Sequence, residues 1–302
     1  MRFYLSSSSL NPKDGGQRIK DLALLRALAI EAVIGEQKRF HAPVTTGDME
    51  VARGSLRWEG EGDEYPNGGK KNVDIAPDAI IIFINDVAAC PDDLLELIHQ
   101  HKFQQADMVC AMDWLYNAPP EDEEEGKATV TFYDIWVSRA INGDIFFDIP
   151  PETASWEHSS VLFPTEPVAQ AWFKAGLPFQ VFSCWNGAVV FKAAPLVDGL
   201  VGFRWPNEGE CFQGEPQLFC KDLWGEGFGR IAVVPSVNLG YGGEVGRLVK
   251  GVRGFVGDFI ADGEERIGWV GEPPERVKCM PDFKDQRWLR WNESFGEVQG
   301  GE

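Results

Sequence analysis

Asn85 and Asp86 close an apolar run, Ala79–Ile84, and carry the strongest signal for chemistry in this chain. In open α/β sheets, ligands bind at the carboxyl ends of the strands. A carboxylate placed there is a hard oxygen ligand for Mn²⁺ or Mg²⁺, which in turn bridges substrate phosphates. Such an ion neutralises charge on a departing diphosphate, which is what a nucleotide-sugar transferase needs. Asp is also a common turn residue, so capping the next turn is the alternative for Asp86. Asp113 ends a second apolar run, Ala106–Met112, and Asp134 lies in an aromatic run over 129–139. Carboxylates at the ends of neighbouring strands can line one cleft. Glu215 precedes the segment Pro216–Leu223, and Asp222 follows it by about two helical turns. A carboxylate at a helix N-terminus facing a cleft can orient an acceptor hydroxyl. It can equally be a simple N-terminal helix acid.

Arg18 and Arg26 stand eight residues apart, about 12 Å along a helix, and either could reach a diphosphate. Solvation at the surface is the plainer alternative for both. Trp185-Asn186-Gly187 offers a stacking ring, a side-chain amide and close backbone approach. That suits a sugar subsite, and a core Trp beside a turn fits the same residues. His41, His99, His101 and His158 show no metal-ligand spacing, and no Cys pair has the CxxC form of a zinc knuckle. GxSxG, Walker A and GxGxxG motifs are absent, so hydrolase, P-loop and Rossmann chemistry lack their usual marks.

These residues need elements to hold them. Ile19, Leu22, Leu25, Ala29, Ile30 and Val33 recur at helical spacing and predict a helix over 18–39. The polar stretch 41–78 reads as a long surface loop. The run 79–84 suits a strand buried on both faces of a mainly parallel sheet. Pro91, Asp92 and Asp93 open a helix through Gln104. The run 106–112 is then the second strand of a right-handed βαβ unit, adjacent to the first. An acidic loop at 119–126, a helix at 166–175, a strand within 179–191, a helical segment ending near Trp224 and a last strand at 231–237 complete an α/β fold. No internal repeat is present. The domain division is 1–241 for the transferase-like unit and 242–302 for a Gly-rich extension.

Composition narrows the function. The 302 residues are 44% apolar, which excludes wholesale disorder. The net charge of −19 excludes a grip on a phosphate backbone, so no nucleic acid is expected as partner. No apolar stretch is long enough to span a membrane, and the first ten residues are not a signal peptide. As written, the chain is expected to be soluble and cytoplasmic. Six Cys are too few for a disulfide scaffold, and the sequence leaves open whether any pair is bridged. The 11 Trp and 20 Phe allow sugar stacking, although most aromatics in any protein are core.

Several stretches in order carry a family resemblance. They are Ile82–Val87, Cys90–Leu97, Ala106–Trp114, Phe132–Arg139, Cys184–Gly187, Gly209–Cys211, Phe219–Trp224 and Val234–Asn238. Over about residues 18–241 the chain resembles fungal glycosyltransferase family 69, the group of the cryptococcal capsular α-1,3-mannosyltransferases and capsule-associated proteins. The resemblance implies a GT-A-like fold and retaining transfer of mannose from GDP-mannose to a glycan acceptor as an α-1,3 linkage. It implies donor contacts at Arg18, Arg26, Asn85, Asp86 and Asp113, with Mn²⁺ or Mg²⁺ at Asp86. Taken with the residues read above, catalytic roles are expected for Asp134, Glu215 and Asp222 and acceptor contacts at Trp185, Asn186 and Gly187. The family's Ser-Glu pair falls on Gly214-Glu215, so the hydroxyl is missing here. The family also implies a Golgi lumen location behind a membrane anchor. Set against the family, this chain is expected to start at what would be the first Arg-Ile helix, with the anchor and the first βαβ of the donor half missing if the sequence is complete. Two alternatives are an inactive relative acting as an assembly or polysaccharide-export factor, and a metal-free carbohydrate-binding module.

Overall fold

Strand β1, Ile80–Ile84, pairs antiparallel with β6, Ala188–Lys192, in a computed structural model that describes Arg26, Ala76 and residues 78–119, 127–259 and 265–293. Arg18, the rest of the 18–39 helix, most of the 41–78 loop, most of the acidic loop and the end of the tail lie outside the described residues.

β6 in turn pairs antiparallel with β2, Met108–Asn117, and β2 pairs parallel with β7, Ile231–Gly240. β3, Thr129–Phe132, folds back antiparallel onto the far end of β2. β4, Arg139–Ala140, and β5, Phe179–Ser183, extend the other edge, giving the order β1-β6-β2-β7-β5-β4 in a seven-stranded sheet.

Two expectations are corrected here. The sheet is mixed and mostly antiparallel, with β2–β7 its one parallel pair among the described strands. β1 and β2 do run in the same direction, joined by helix α1, Pro91–Phe103, but β6 lies between them. The physical reason is that a continuous apolar run reports burial on both faces and carries no information on its neighbours' direction. Val189, Val190 and Phe191 form a similar buried run, and they fill the gap. β2 also runs past Asp113 to Asn117, so Asp113 lies inside the strand, beyond a register irregularity between Cys110 and Met112.

Alternation along β2 builds two core layers. Met108, Cys110, Met112 and Trp114 face an aromatic layer with Phe132, Phe146, Phe182, Trp185 and Phe219. Val109 and Ala111 face an aliphatic layer with Val190, Val234 and Leu97 of α1. Pro91 opens α1, where its missing N–H costs nothing, and the Asp93 carboxylate accepts the Cys90 N–H at 2.6 Å. Its other oxygen takes the ammonium of Lys250, from α5 (Gly243–Arg253), at 2.6 Å. Helices α2 (Pro167–Ala175), α3 (Ala194–Val197) and α4 (Glu215–Gly225) complete the fold, with a hairpin of β8, Arg276–Cys279, and β9, Arg287–Arg290. Disulfides join Cys110 to Cys184 and Cys211 to Cys279, while Cys90 and Cys220 are free thiols. No described helix is long and apolar enough to cross a membrane.

Candidate active site

The strand ends and the turns beside them open into one cleft of about 760 Å³. This is the size range of small-molecule sites. Asn85 and Asp86 line it from the end of β1, Asp113 from β2 and Asp134 from the turn after β3. Glu215, the first residue of α4, and Arg26, a helical residue, complete the charged lining. The second cavity, between Glu210, Lys221 and Trp291, holds only about 20 Å³. That is room for about one water.

Asp86 is exposed in the lining. Asn85 behind it is fixed at both ends. Its backbone N–H donates to the Gly187 carbonyl at 2.8 Å, and its side-chain oxygen accepts the Trp185 indole N–H at 3.3 Å. Gly187 sits at φ +81°, where an added Cβ would stand 2.7 Å from Val87 Cγ1. Only glycine suits that place, because both the left-handed backbone and the close approach exclude a side chain.

Asp113 is a buried carboxyl in this lining and Asp134 a half-buried one. Asp113 Oδ2 accepts the Tyr241 hydroxyl at 2.6 Å, and no hydrogen bond of normal geometry reaches Oδ1 from the described residues. Burial, and then the negative charge of Asp134, push the Asp113 carboxyl up to about 8, against the Tyr241 hydrogen bond. Burial also raises Asp134, opposed by the Asn186 N–H that its Oδ2 accepts at 3.0 Å and by the charge of Arg26. The Asp134 turn is anchored by Arg139, which is fully buried and donates to the carbonyls of Ile135, Ser138 and Lys278.

Arg26 forms an ion pair with Glu215, and its guanidinium lies 4.9 Å from the Trp185 ring centroid. Burial lowers the arginine to about 10 even with Asp134 nearby. Glu215 is 2% exposed, so this pair is largely withdrawn from water.

The cleft therefore brings together Arg26, Asn85, Asp86, Asp113, Asp134, Trp185, Gly187 and Glu215. Three expected site residues stand differently. Trp185 is 1% exposed, packed on Phe83 and Phe203 and covered by Arg26, so it is no open stacking platform. Asn186 is fully buried: its amide donates to the Ala111 carbonyl and accepts from the Ser138 hydroxyl, leaving nothing for an acceptor. Its service to the site is indirect, through the backbone N–H held by Asp134. Asp222 is clamped by Arg204 at 2.7 and 2.8 Å, outside the cleft lining.

The structure adds lining residues that the sequence had not singled out: Tyr133, Trp136, Phe212, Tyr241, Met280 and Pro281. Tyr133 and Trp136 flank the Asp134 already noted. Tyr241 directly follows β7, where the strand-end rule that found Asp86 applies equally. The sequence reading ends this strand at Val237, whereas it runs on to Gly240, with Asn238 buried and accepting the Trp114 indole N–H.

The family described as Cryptococcal mannosyltransferase 1 matches residues 4–222. The chain belongs to this mannosyltransferase family. A curated relative, alpha-1,3-mannosyltransferase CMT1 of Cryptococcus neoformans, is 35% identical over 236 residues, covering 74% of the chain. The alignment covers 46% of that relative, so the chain spans about half its length. The family match runs through every charged residue of the cleft. Tyr241, Met280 and Pro281, which also line the cleft, lie beyond the matched range.

Proposed function

We propose that the chain transfers mannose from GDP-mannose to a glycan acceptor as an α-1,3 linkage, with retention, on a GT-A-like fold. The observation that carries this reading is the convergence of Asp86, Asp113, Asp134, Glu215 and Arg26 on one cleft in a member of a mannosyltransferase family.

The residues divide by exposure. Asp86 has its carboxylate open to solvent, the state needed to meet a diphosphate through a cation. Among the described residues, no group of three or more His, Cys, Asp or Glu could enclose a metal. This donor set fits an ion held by one protein carboxylate and otherwise by substrate phosphate and water, the usual habit of Mg²⁺. A divalent cation, Mn²⁺ or Mg²⁺, held by Asp86 would offset charge on the departing diphosphate. Asn85 fixes the turn that aims Asp86. Glu215, ion-paired with Arg26, accepts a hydrogen bond from an acceptor hydroxyl and orients it. Retention places the acceptor oxygen on the face the phosphate leaves. The carbon–oxygen bond to the acceptor forms as the bond to phosphate breaks, and the hydroxyl proton goes to the leaving phosphate oxygen. No residue needs to act as an inverting base. Asp113 and Asp134 lie beside this path and bind the sugar part of the donor or its partner.

The two disulfides favour an oxidising compartment, such as the Golgi lumen. The test is calorimetric titration with GDP and GDP-mannose, with and without Mn²⁺. Metal-dependent binding of both supports the transferase. An assembly factor of the same fold would bind neither.

A further inference from the structure

One corner of the cleft is built in a way that the diphosphate reading leaves unused. Asp113 is 1% exposed, yet its Oδ1 lacks a hydrogen bond of normal geometry. A buried acceptor short of a well-placed partner is a position that a ligand hydroxyl or a water can complete. Two tyrosines adjoin this carboxyl, and Trp136 lines the same cleft. The Tyr241 hydroxyl holds the other carboxyl oxygen. The Tyr241 ring meets Tyr133 edge to face at 4.8 Å, and Tyr133 is 42% exposed. The Tyr133 N–H also donates to the Asp113 carbonyl at 3.1 Å, so ring and carboxyl are fixed to one piece of backbone. Trp136, 38% exposed, is backed by Phe283 at 4.8 Å, and Phe283 by Trp156. All four residues, Asp113, Tyr133, Trp136 and Tyr241, line the same cleft.

The charge of the lining selects the chemistry of the occupant. Arg26 is the sole basic group among the described lining residues, and Glu215 engages it, so none of the described lining offers this corner an uncommitted cation for phosphate. This corner therefore disfavours phosphate and suits a neutral ligand with hydroxyl groups on one side and C–H bonds on the other. Half-exposed aromatic rings take the C–H side, and a carboxyl oxygen with no well-placed partner takes the hydroxyl side.

We propose that Asp113, Tyr133, Tyr241 and Trp136 form a pyranose subsite, in which Asp113 Oδ1 binds a ring hydroxyl and the open faces of Tyr133 and Trp136 carry the sugar's apolar face. This rests on the mannosyltransferase reading for the identity of the sugar, and it replaces Trp185 as the stacking surface. The same chemistry serves the mannosyl group of the donor or a mannose of the acceptor.

The test uses the whole chain and three calorimetric ligands: GDP, GDP-mannose and α-1,3-mannobiose, each with Mn²⁺. The variants are Tyr133→Ala, Trp136→Ala and Asp113→Ala. The first two remove half-exposed rings and should melt close to the parent, so they decide the matter even if Asp113→Ala fails to fold. A donor-sugar subsite gives tighter binding of GDP-mannose than of GDP in the parent. That advantage should fall about tenfold in Tyr133→Ala and Trp136→Ala, with GDP unchanged. An acceptor subsite gives the same tenfold loss for mannobiose alone. Unchanged sugar binding in both aromatic variants overturns the subsite while leaving GDP binding, and hence the transferase reading, standing. Absence of GDP binding with mannobiose binding lost in the variants sinks the transferase reading and keeps the subsite. A parent that binds none of the three ligands overturns both.

Discussion

The guanidinium of Arg26 lies over the Trp185 indole, 4.9 Å from its centroid, and pairs with Glu215 at the start of α4. One side chain thus ties the helix that carries it to the cleft floor and to the helix that presents the candidate acceptor-orienting acid. The pair is costly to break from either side. Arg26→Met leaves Glu215, 2% exposed, as an uncompensated buried charge. The expected loss is about 3–5 kcal/mol in denaturant unfolding. Arg26→Met with Glu215→Gln should recover most of it, because no lone charge then remains.

Asp113→Asn should raise stability at neutral pH. The folded-state carboxyl is pushed up to about 8 from 3.8, by burial first and Asp134 second. Between those values the native state keeps a proton that the unfolded chain has released. Stability of the parent therefore falls as pH rises across that window. Asn mimics the protonated acid and removes this slope. Melting curves of parent and variant should agree near pH 4 and diverge, with the variant higher, towards pH 8.

Much of the site was legible because it follows from strand ends. The apolar runs ending at Asn85-Asp86 and near Asp113 were visible, and the carboxyl-end rule put both residues in one cleft. What failed was direction and burial. Nothing in Val189–Phe191 announces that it inserts antiparallel between β1 and β2. Trp185 looked like a sugar platform because its type suits one, yet Phe83, Phe203 and Arg26 cover it. Asp222 is expected in a catalytic role from the sequence, and only the fold brings Arg204 onto it from 18 residues away. The disulfide partners are 74 and 68 residues apart, separations that no local pattern encodes.

Asn186 should prove a positioning residue. It sits at φ 51°, its amide joins Ala111 to Ser138, and its N–H holds Asp134. Asn186→Ala strains the left-handed backbone and leaves two buried partners unpaired, a loss of about 2–4 kcal/mol in urea unfolding. Gly187→Ala should be at least as damaging, since its Cβ would stand 2.7 Å from Val87 Cγ1 at φ +81°.

Cys211–Cys279 ties the segment before α4 to the hairpin that supplies Met280 and Pro281 to the cleft. Cys279→Ser should lower stability by about 2–5 kcal/mol, read by chemical unfolding under non-reducing conditions. The same loosening of one cleft wall should weaken donor binding in the folded variant.

The central claim is that Asp86 binds the donor through a cation. The direct measurement is calorimetric titration of GDP-mannose, with and without Mn²⁺, into the parent and Asp86→Asn. Carboxylate to amide keeps the shape and suits a turn, so the variant should melt like the parent. The account predicts Mn²⁺-dependent binding in the parent and its loss in Asp86→Asn, with transfer slowed by about 10²–10³. Equal Mn²⁺-dependent binding by the two proteins would make Asp86 a turn residue and contradict the account. So would a parent that binds no donor at all.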